Sequence, residues 1–218
     1  KSSLLAEFKK DTYAAIKNKI SLNPILNAFQ WVVNTYKVPH ELIETFMNSM
    51  EMDLDKKVYD KETYEKYILG SAEVVGLMCL KIFVGGDETE YERLKMNAMK
   101  LGSAFQKINF LRDLNDDFNE LGRTYFPGIN MNDFNNIVKK EIEADIEKDF
   151  KLGYEGILML PKQARFGVYM AYKYYFKLFK KIKRTKAERI LEERVRIPNR
   201  KKARILVTSY VRHNLNML

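Results

Sequence analysis

Cysteine, proline and glycine are scarce in this chain of 218 residues, which contains 1 cysteine, 5 prolines and 10 glycines. So few turn-forming residues favour long helices over a fold of many short strands. The single cysteine, Cys79, excludes an internal disulfide, and its apolar surroundings predict a buried thiol in a reducing cytoplasm. No apolar run reaches the roughly 18 to 20 residues that a membrane-spanning helix needs.

Negative charge is in the minority, with 29 aspartates and glutamates against 38 lysines and arginines, and the net charge is +9. A well-solvated surface and an anionic partner both account for this excess. Because the chain contains no RNA-binding motif, we expect no nucleic-acid partner. Apolar and aromatic residues make up 46% of the chain, which is enough for a sizeable core.

Apolar residues recur at helical spacing along nearly the whole sequence, and no convincing strand pattern is present. We predict a single all-α domain over residues 1–218. Asp60 is the predicted N-cap of the fourth helix, and Gly102 marks a candidate kink in the fifth. The predicted helices cover residues 4–19, 24–36, 40–52, 61–83, 88–121, 132–156, 161–183 and 200–214.

Residues 106–117, QKINFLRDLNDD, place amides and carboxylates on one face of the fifth helix. At about 100° per residue, Gln106, Asn109, Asp113 and Asp117 lie on one arc, here called the amide–carboxylate stripe. Carboxylates one turn apart suit Mg²⁺, which commonly bridges them to substrate phosphates, and Asn109 could add an amide ligand or orient a water. The alternative is a set of solvated charges at a helix end.

The 26 residues from Gly102 to Pro127, GSAFQKINFLRDLNDDFNELGRTYFP, closely resemble the second signature of the phytoene and squalene synthase family. That signature reads QxxNxxRDxxxD, followed by GRxY and a proline. Residues 67–76, YILGSAEVVG, are similar to the other helical signature of the family. Weaker similarities extend over residues 50–54, MEMDL, and over Glu193, Arg194 and Val195 with the lysines at 201 and 202. The whole pattern most resembles bacterial phytoene synthases.

The resemblance implies an isoprenoid-synthase type of helical bundle around a central cavity. It further implies a transferase that joins two prenyl diphosphates head to head through a cyclopropyl diphosphate, with Mg²⁺ or Mn²⁺ and without NADPH. Asn109, Asp113 and Asp117 would hold the metal. The implied catalytic residues are Gln106, Asn109, Arg112, Asp113, Asp117 and Tyr175, and the implied substrate-binding residues are Tyr67, Ser71, Ala72, Gly76, Arg123, Tyr125 and Arg194.

Alternatives remain open for several of these features. The small residues Gly70, Ser71, Ala72 and Gly76 could lie against an isoprenoid tail, and they also permit close helix packing.

Two geranylgeranyl diphosphates are the expected substrates and phytoene the product. The alternatives are farnesyl diphosphate with a dehydrosqualene or squalene product, a non-catalytic relative that serves assembly or binding, and a terpene cyclase. The oligomeric state is left open.

One expected feature of the family was not found. Its first aspartate-rich motif does not occur in this chain, because Asp53–Asp55 and Asp145–Asp149 lie in different sequence contexts. We therefore expect the chain to be incomplete at its N-terminus and to lack turnover by itself.

The segment 173–189 is basic and contains interleaved aromatic residues. A solvated helix face explains it, and so does contact with anionic lipid at the inner face of a membrane by an otherwise cytoplasmic protein.

Overall fold

In a computed structural model of the chain, the described residues are 1–55, 58–121, 125–128 and 134–215. All the regular elements among them are helical, which confirms the predicted all-α class. The elements are α1 (Ser2–Asn18), α2 (Pro24–Tyr36), α3 (His40–Asp55), α4 (Lys61–Ile68), a π-helical turn (Leu69–Glu73), α5 (Val74–Phe83), α6 (Glu88–Leu121), α7 (Asn136–Met159), α8 (Lys162–Arg184), α9 (Ala187–Glu192) and α10 (Asn199–Asn214).

Local sequence sets several helix ends as predicted. The Asp60 side chain accepts a hydrogen bond of 2.8 Å from the backbone N–H of Thr63, so Asp60 is the N-cap of α4. Asn23 caps α2 in the same way, with Pro24 at the first helical position. Gly102 does not interrupt α6, which runs over 34 residues.

The predicted helix over 61–83 was wrong in its interior, where the π-helical turn separates α4 from α5. At this turn the backbone lies against α3, since a Cβ atom on Gly70 would be 2.7 Å from the carbonyl oxygen of Thr45. The small residues of the turn permit this approach, and the wider π geometry adds a residue to the helix without breaking it.

One further helix start differs from the prediction, and one helix was missed. The helix predicted from residue 132 begins instead at Asn136, because the Asn135 side chain caps it by accepting from the N–H groups of Ile137 and Val138. Residues 131–133 lie outside the described part of the chain. The short helix α9 was not predicted, since its six residues bury only Ala187 and Ile190 and are too few to show a period.

The long helix α6 is the centre of the fold, packed against α5 and the π-helical turn on one side and α7 on the other. Glycines lie at the closest approaches. A Cβ on Gly102 would be 2.5 Å from the carbonyl oxygen of Ala72, and one on Gly76 would be 2.7 Å from that of Ala98. As the residue number rises on one helix it falls on the other, so α5 and α6 are antiparallel.

The main hydrophobic core lies on the other faces of α6. Ala104, Ile108 and Leu111 are fully buried there, where α7, α8 and α9 meet α6. Over the described ranges, no helix combines the length and the apolar character needed to cross a membrane.

Candidate active site

A cavity of about 610 Å³ lies between α5, α6, α7 and α8. Its walls are mostly apolar and include Val75, Leu101 and Ile157. Three of the predicted substrate-binding residues line it, namely Ser71, Ala72 and Gly76, and so does Gln106 of the amide–carboxylate stripe. A long apolar group fits such walls, because small side chains leave space and aliphatic side chains exclude water.

The small residues in and beside the π-helical turn serve both of the purposes that the sequence left open. Gly70 packs tightly on α3, where a Cβ would clash with Ser49 and Thr45. Ser71 and Ala72 line the cavity. Gly76 does both, since it lines the cavity and also contacts the backbone of α6 at Ala98.

The end of the cavity nearest the amide–carboxylate stripe is polar. Gln106 lies there, and the Asn109 Nδ2 atom is 3.4 Å from Gln106 Oε1. From α8, the hydroxyl of Tyr175 donates to Asn109 Oδ1 at 3.3 Å. The Tyr175 ring stacks on Phe105, a cavity residue, with 4.1 Å between ring centroids and 14° between planes. Tyr175 therefore connects the apolar wall with the amide–carboxylate stripe.

Asp113, one turn further along α6, is held by two arginines. Its Oδ1 atom lies 2.8 Å from Arg112 Nε and 2.6 Å from Arg194 Nε. A second guanidinium nitrogen of Arg194 lies 4.0 Å from Asp116. The hydrogen bonds to Asp113 raise the pKa of the Arg112 guanidinium, so this arginine stays charged.

Both arginines also line a second cavity of about 450 Å³, next to Asp113. The sequence did not single out Arg196 as a site residue, and it placed Lys202 only in a weak similarity. Here the two form the cavity wall with Arg112, Arg194 and Tyr174. Four cationic side chains around one cavity suit a multiply charged anion such as a diphosphate. The sequence feature that could have identified Arg196 and Lys202 is the density of basic residues in the run RVRIPNRKK, residues 194–202.

The described residues contain no group of three or more histidine, cysteine, aspartate or glutamate side chains placed to hold a metal ion. The oxygen donors of Asn109 and Asp113 do suit a hard cation such as Mg²⁺. A cation bound there would compete with Arg112 and Arg194 for the Asp113 carboxylate. Asp117 lies one further turn along α6 and is half-buried. The metal site therefore stays a prediction.

Two predicted substrate-binding tyrosines lie outside the cavity lining, in an aromatic cluster beside α6. The Tyr67 hydroxyl donates to Asp53 Oδ2 at 2.8 Å. Burial raises the pKa of the Tyr67 phenol well above its usual range, and the neighbouring Tyr125 and Asp53 add to this effect. Tyr125 stacks on Phe110 with ring centroids 4.0 Å apart. Their contact with substrate stays a prediction, and Arg123 lies outside the described residues.

The aromatic side chains of the basic segment 173–189 do not form an exposed surface. Phe179 is fully buried, and Tyr174, Tyr175 and Phe176 are half-buried. Lys181 donates to the carbonyl of Arg196 at 2.9 Å, which ties α8 to the loop before α10. The aromatic residues therefore belong to the core and the site, and membrane contact through this segment stays a prediction.

A family model described as squalene/phytoene synthase matches residues 1–201. The chain therefore belongs to the squalene/phytoene synthase family, as the two sequence signatures indicated.

Two curated relatives illustrate the range within the family. The 4,4'-diapophytoene synthase of Staphylococcus haemolyticus is 28% identical over 123 residues, which cover 56% of this chain and 41% of the relative. The phytoene synthase of Pseudescherichia vulneris is 32% identical over 126 residues, which cover 56% of this chain and 38% of the relative. The chain thus spans about two fifths of the length of these relatives.

Solved structures share the fold. A dehydrosqualene synthase solved in complex with a ligand superposes with a TM-score of 0.77 at 18% identity, covering 98% of this chain and 78% of that one. The squalene synthase HpnC of Alicyclobacillus acidocaldarius superposes with a TM-score of 0.72 at 20% identity, covering 84% of this chain and 73% of that one. At these identities the likeness concerns the fold alone.

Proposed function

We propose that this chain is part of a phytoene-synthase-like prenyltransferase, which condenses two geranylgeranyl diphosphates head to head through a cyclopropyl diphosphate to phytoene. One observation carries the proposal. An apolar cavity ends at the amide–carboxylate stripe, and a cationic cavity lies directly beside the same stripe. An amphiphile with a long apolar tail and a diphosphate head matches this arrangement, because each part meets a complementary surface.

In this proposal the prenyl tail occupies the apolar cavity, and its first carbon lies near Gln106 and Asn109. Arg112 and Arg194 bind the diphosphate, since guanidinium groups match phosphate oxygens in a bidentate way. These cations stabilise the negative charge that develops on the departing diphosphate.

Asn109, Asp113 and Asp117 would hold Mg²⁺, or Mn²⁺ in its place. The metal, when bound, would add further stabilisation of the leaving diphosphate. Tyr175 presents its ring at the polar end of the cavity, next to Phe105, where aromatic faces would stabilise an allylic cation and exclude water. The condensation to phytoene needs no reduction, so NADPH is not part of the proposal.

Farnesyl diphosphate with a dehydrosqualene-type product is the second candidate, because a cavity that admits a longer tail also admits a shorter one. A non-catalytic binding protein is the third, and the presence of Asp113 and Asp117 beside Gln106 and Asn109 argues against it. Peripheral contact with an anionic membrane is part of the proposal, since the substrate is itself a lipid.

The test is an incubation of the purified full-length protein with geranylgeranyl diphosphate and Mg²⁺ in the absence of NADPH. We expect an extractable hydrocarbon with the mass of phytoene and the absorbance of a conjugated triene, and we expect its loss in Asp113→Ala. A folded protein that binds neither geranylgeranyl nor farnesyl diphosphate, and forms no hydrocarbon from either, would overturn the proposal.

A further inference from the structure

The antiparallel arrangement of α5 and α6 defines the two ends of the apolar cavity. Gly102 lies against Ala72, and Gly76 lies against Ala98, four residues further along α5 and four residues back along α6. Ser71 and Gln106 therefore lie at one end. Continuing the same register, Phe83 and Leu94 lie at the other end, away from the amide–carboxylate stripe.

The cavity has a depth that can be read from the helix rise. Its lining residues on α6 extend from Leu94 to Gln106, which is about 18 Å at 1.5 Å per residue. An extended carbon chain advances about 1.2 Å per bond, so the roughly 15 main-chain bonds of a geranylgeranyl tail span about 18 Å. A farnesyl tail, with roughly 11 such bonds, spans about 13 Å. The longer tail therefore reaches the far end, and the shorter tail stops about one helical turn before it.

Four apolar side chains line the far end, namely those of Leu80, Phe83, Leu94 and Leu160. Leu80, Leu94 and Leu160 are 2%, 1% and 5% exposed and belong to a buried cluster with Val84. Phe83 packs against that cluster but is only partly buried. Shortening any of the three leucines would leave a hole in a core, which costs stability. Phe83 can change size with less effect on the fold, because it is partly exposed and lies beside the buried cluster and not inside it.

We propose that Phe83 determines the longest prenyl tail that this cavity accepts, and that its ring stops the tail after four isoprene units. The inference rests on the proposed function, because it assumes that the cavity binds a prenyl tail. It assigns tail-length selectivity to a single position at the end of α5, and it favours a geranylgeranyl over a farnesyl substrate.

Cys79 provides a reciprocal position. It lines the same wall of the cavity one turn before Phe83, about 5–6 Å nearer to the polar end. A phenylalanine at Cys79 would place a ring where a farnesyl tail ends, so the limit would move to a shorter tail.

The experiment measures binding of unreactive thiolodiphosphate analogues with geranyl, farnesyl, geranylgeranyl and geranylfarnesyl tails, by calorimetry on the purified protein. For the unaltered protein we expect affinity to rise about tenfold or more with each added isoprene unit up to geranylgeranyl, because each unit buries further apolar surface. The geranylfarnesyl analogue should then bind at least about tenfold more weakly than the geranylgeranyl one, because its tail meets Phe83.

In Phe83→Ala the geranylfarnesyl analogue should bind at least as well as the geranylgeranyl one, and in Cys79→Phe the farnesyl analogue should become the tightest. Ile82→Ala is the matched control, since this neighbouring residue on α5 is 36% exposed and does not line the cavity. Circular dichroism melting checks the fold of each variant, and Phe83→Leu replaces Phe83→Ala if the latter does not fold.

The results separate two failures. If the affinity of the unaltered protein rises up to geranylgeranyl but Phe83→Ala and Phe83→Leu still exclude the geranylfarnesyl analogue, the role of Phe83 is wrong and the proposed function stands. If no analogue binds, or if affinity does not depend on tail length, the proposed function and the inference both fail.

Discussion

Asp113 Oδ1 lies 2.6 Å from Arg194 Nε, and this ion pair joins the amide–carboxylate stripe of α6 to the loop between α9 and α10. Through it the cationic cavity and the polar end of the apolar cavity share one boundary. Arg112 Nε lies 2.8 Å from the same oxygen, so two guanidinium groups share the single carboxylate of Asp113.

Replacing Arg194 with alanine should weaken diphosphate binding. The guanidinium lines the cationic cavity, and a hydrogen bond to a charged group contributes about 1.5–3 kcal/mol, which corresponds to roughly a tenfold to hundredfold loss of affinity. Calorimetric titration with inorganic diphosphate measures this. Arg189→Ala is the control, because Arg189 pairs with Glu193 on the exposed side of α9. An equal loss of diphosphate affinity in the two variants would show that Arg194 does not bind the diphosphate.

Replacing Asp113 with asparagine should act in opposite directions on two measurements. Affinity for diphosphate without metal should rise a few-fold, because Arg112 and Arg194 lose their carboxylate partner. The further gain in affinity that Mg²⁺ provides should disappear, since a carboxylate ligand is lost. Titrations with and without Mg²⁺ separate the two effects, with Asp11→Asn on the exposed face of α1 as the control. An unchanged Mg²⁺ effect would contradict the metal site.

A methyl group at Gly76 should destabilise the fold. The added Cβ would lie 2.7 Å from the carbonyl oxygen of Ala98, so α5 and α6 must separate, at a cost of about 1–3 kcal/mol. Gly167→Ala is the matched helical control, since a Cβ there has no neighbour within 4 Å. It should stabilise by about 0.5–1 kcal/mol through the lower entropy of the unfolded chain. Urea unfolding measures the free energy of unfolding of both variants. Equal values would contradict the close contact between Gly76 and the Ala98 backbone.

Lys107 should contribute to stability in a pH-dependent way. Its ammonium group is mostly buried and lies 2.6 Å from Asp149, with Asp145 as a second partner. Burial lowers the pKa of Lys107, but hydrogen bonds to Asp145 and Asp149 outweigh it, and the net shift is upward from 10.5. A raised folded-state pKa means that the contribution is complete below pH 10.5 and is lost as the pH rises through the folded-state value.

Lys107→Met should therefore lower the free energy of unfolding at neutral pH by about 3–5 kcal/mol, because it leaves two carboxylates without their buried partner. It should also flatten the loss of stability above pH 10.5. Lys66→Met, at an exposed pair with Glu62, is the control and should have no measurable effect. Chemical unfolding at a series of pH values measures both, and an unchanged alkaline profile in Lys107→Met would contradict the assignment.

The sequence by itself determined the helices and the family. Helical spacing of apolar residues and the caps at Asn23 and Asp60 act within a few residues, so they can be read without tertiary structure. The spacing of Gln106, Asn109, Asp113 and Asp117 is likewise local, because one helix sets their common face. The short helix α9 and the π-helical turn were missed for the converse reason, since each depends on what the segment packs against.

Only the tertiary structure decided which distant residues meet the stripe. Tyr175 reaches Asn109 across 66 residues of sequence, and Arg194 reaches Asp113 because α8 and α9 pack on α6. The depth of the apolar cavity also depends on packing, through the glycine contacts that set the register of α5 against α6. Sequence patterns fix the faces of single helices, whereas side-chain volumes at the contacts fix how those faces come together.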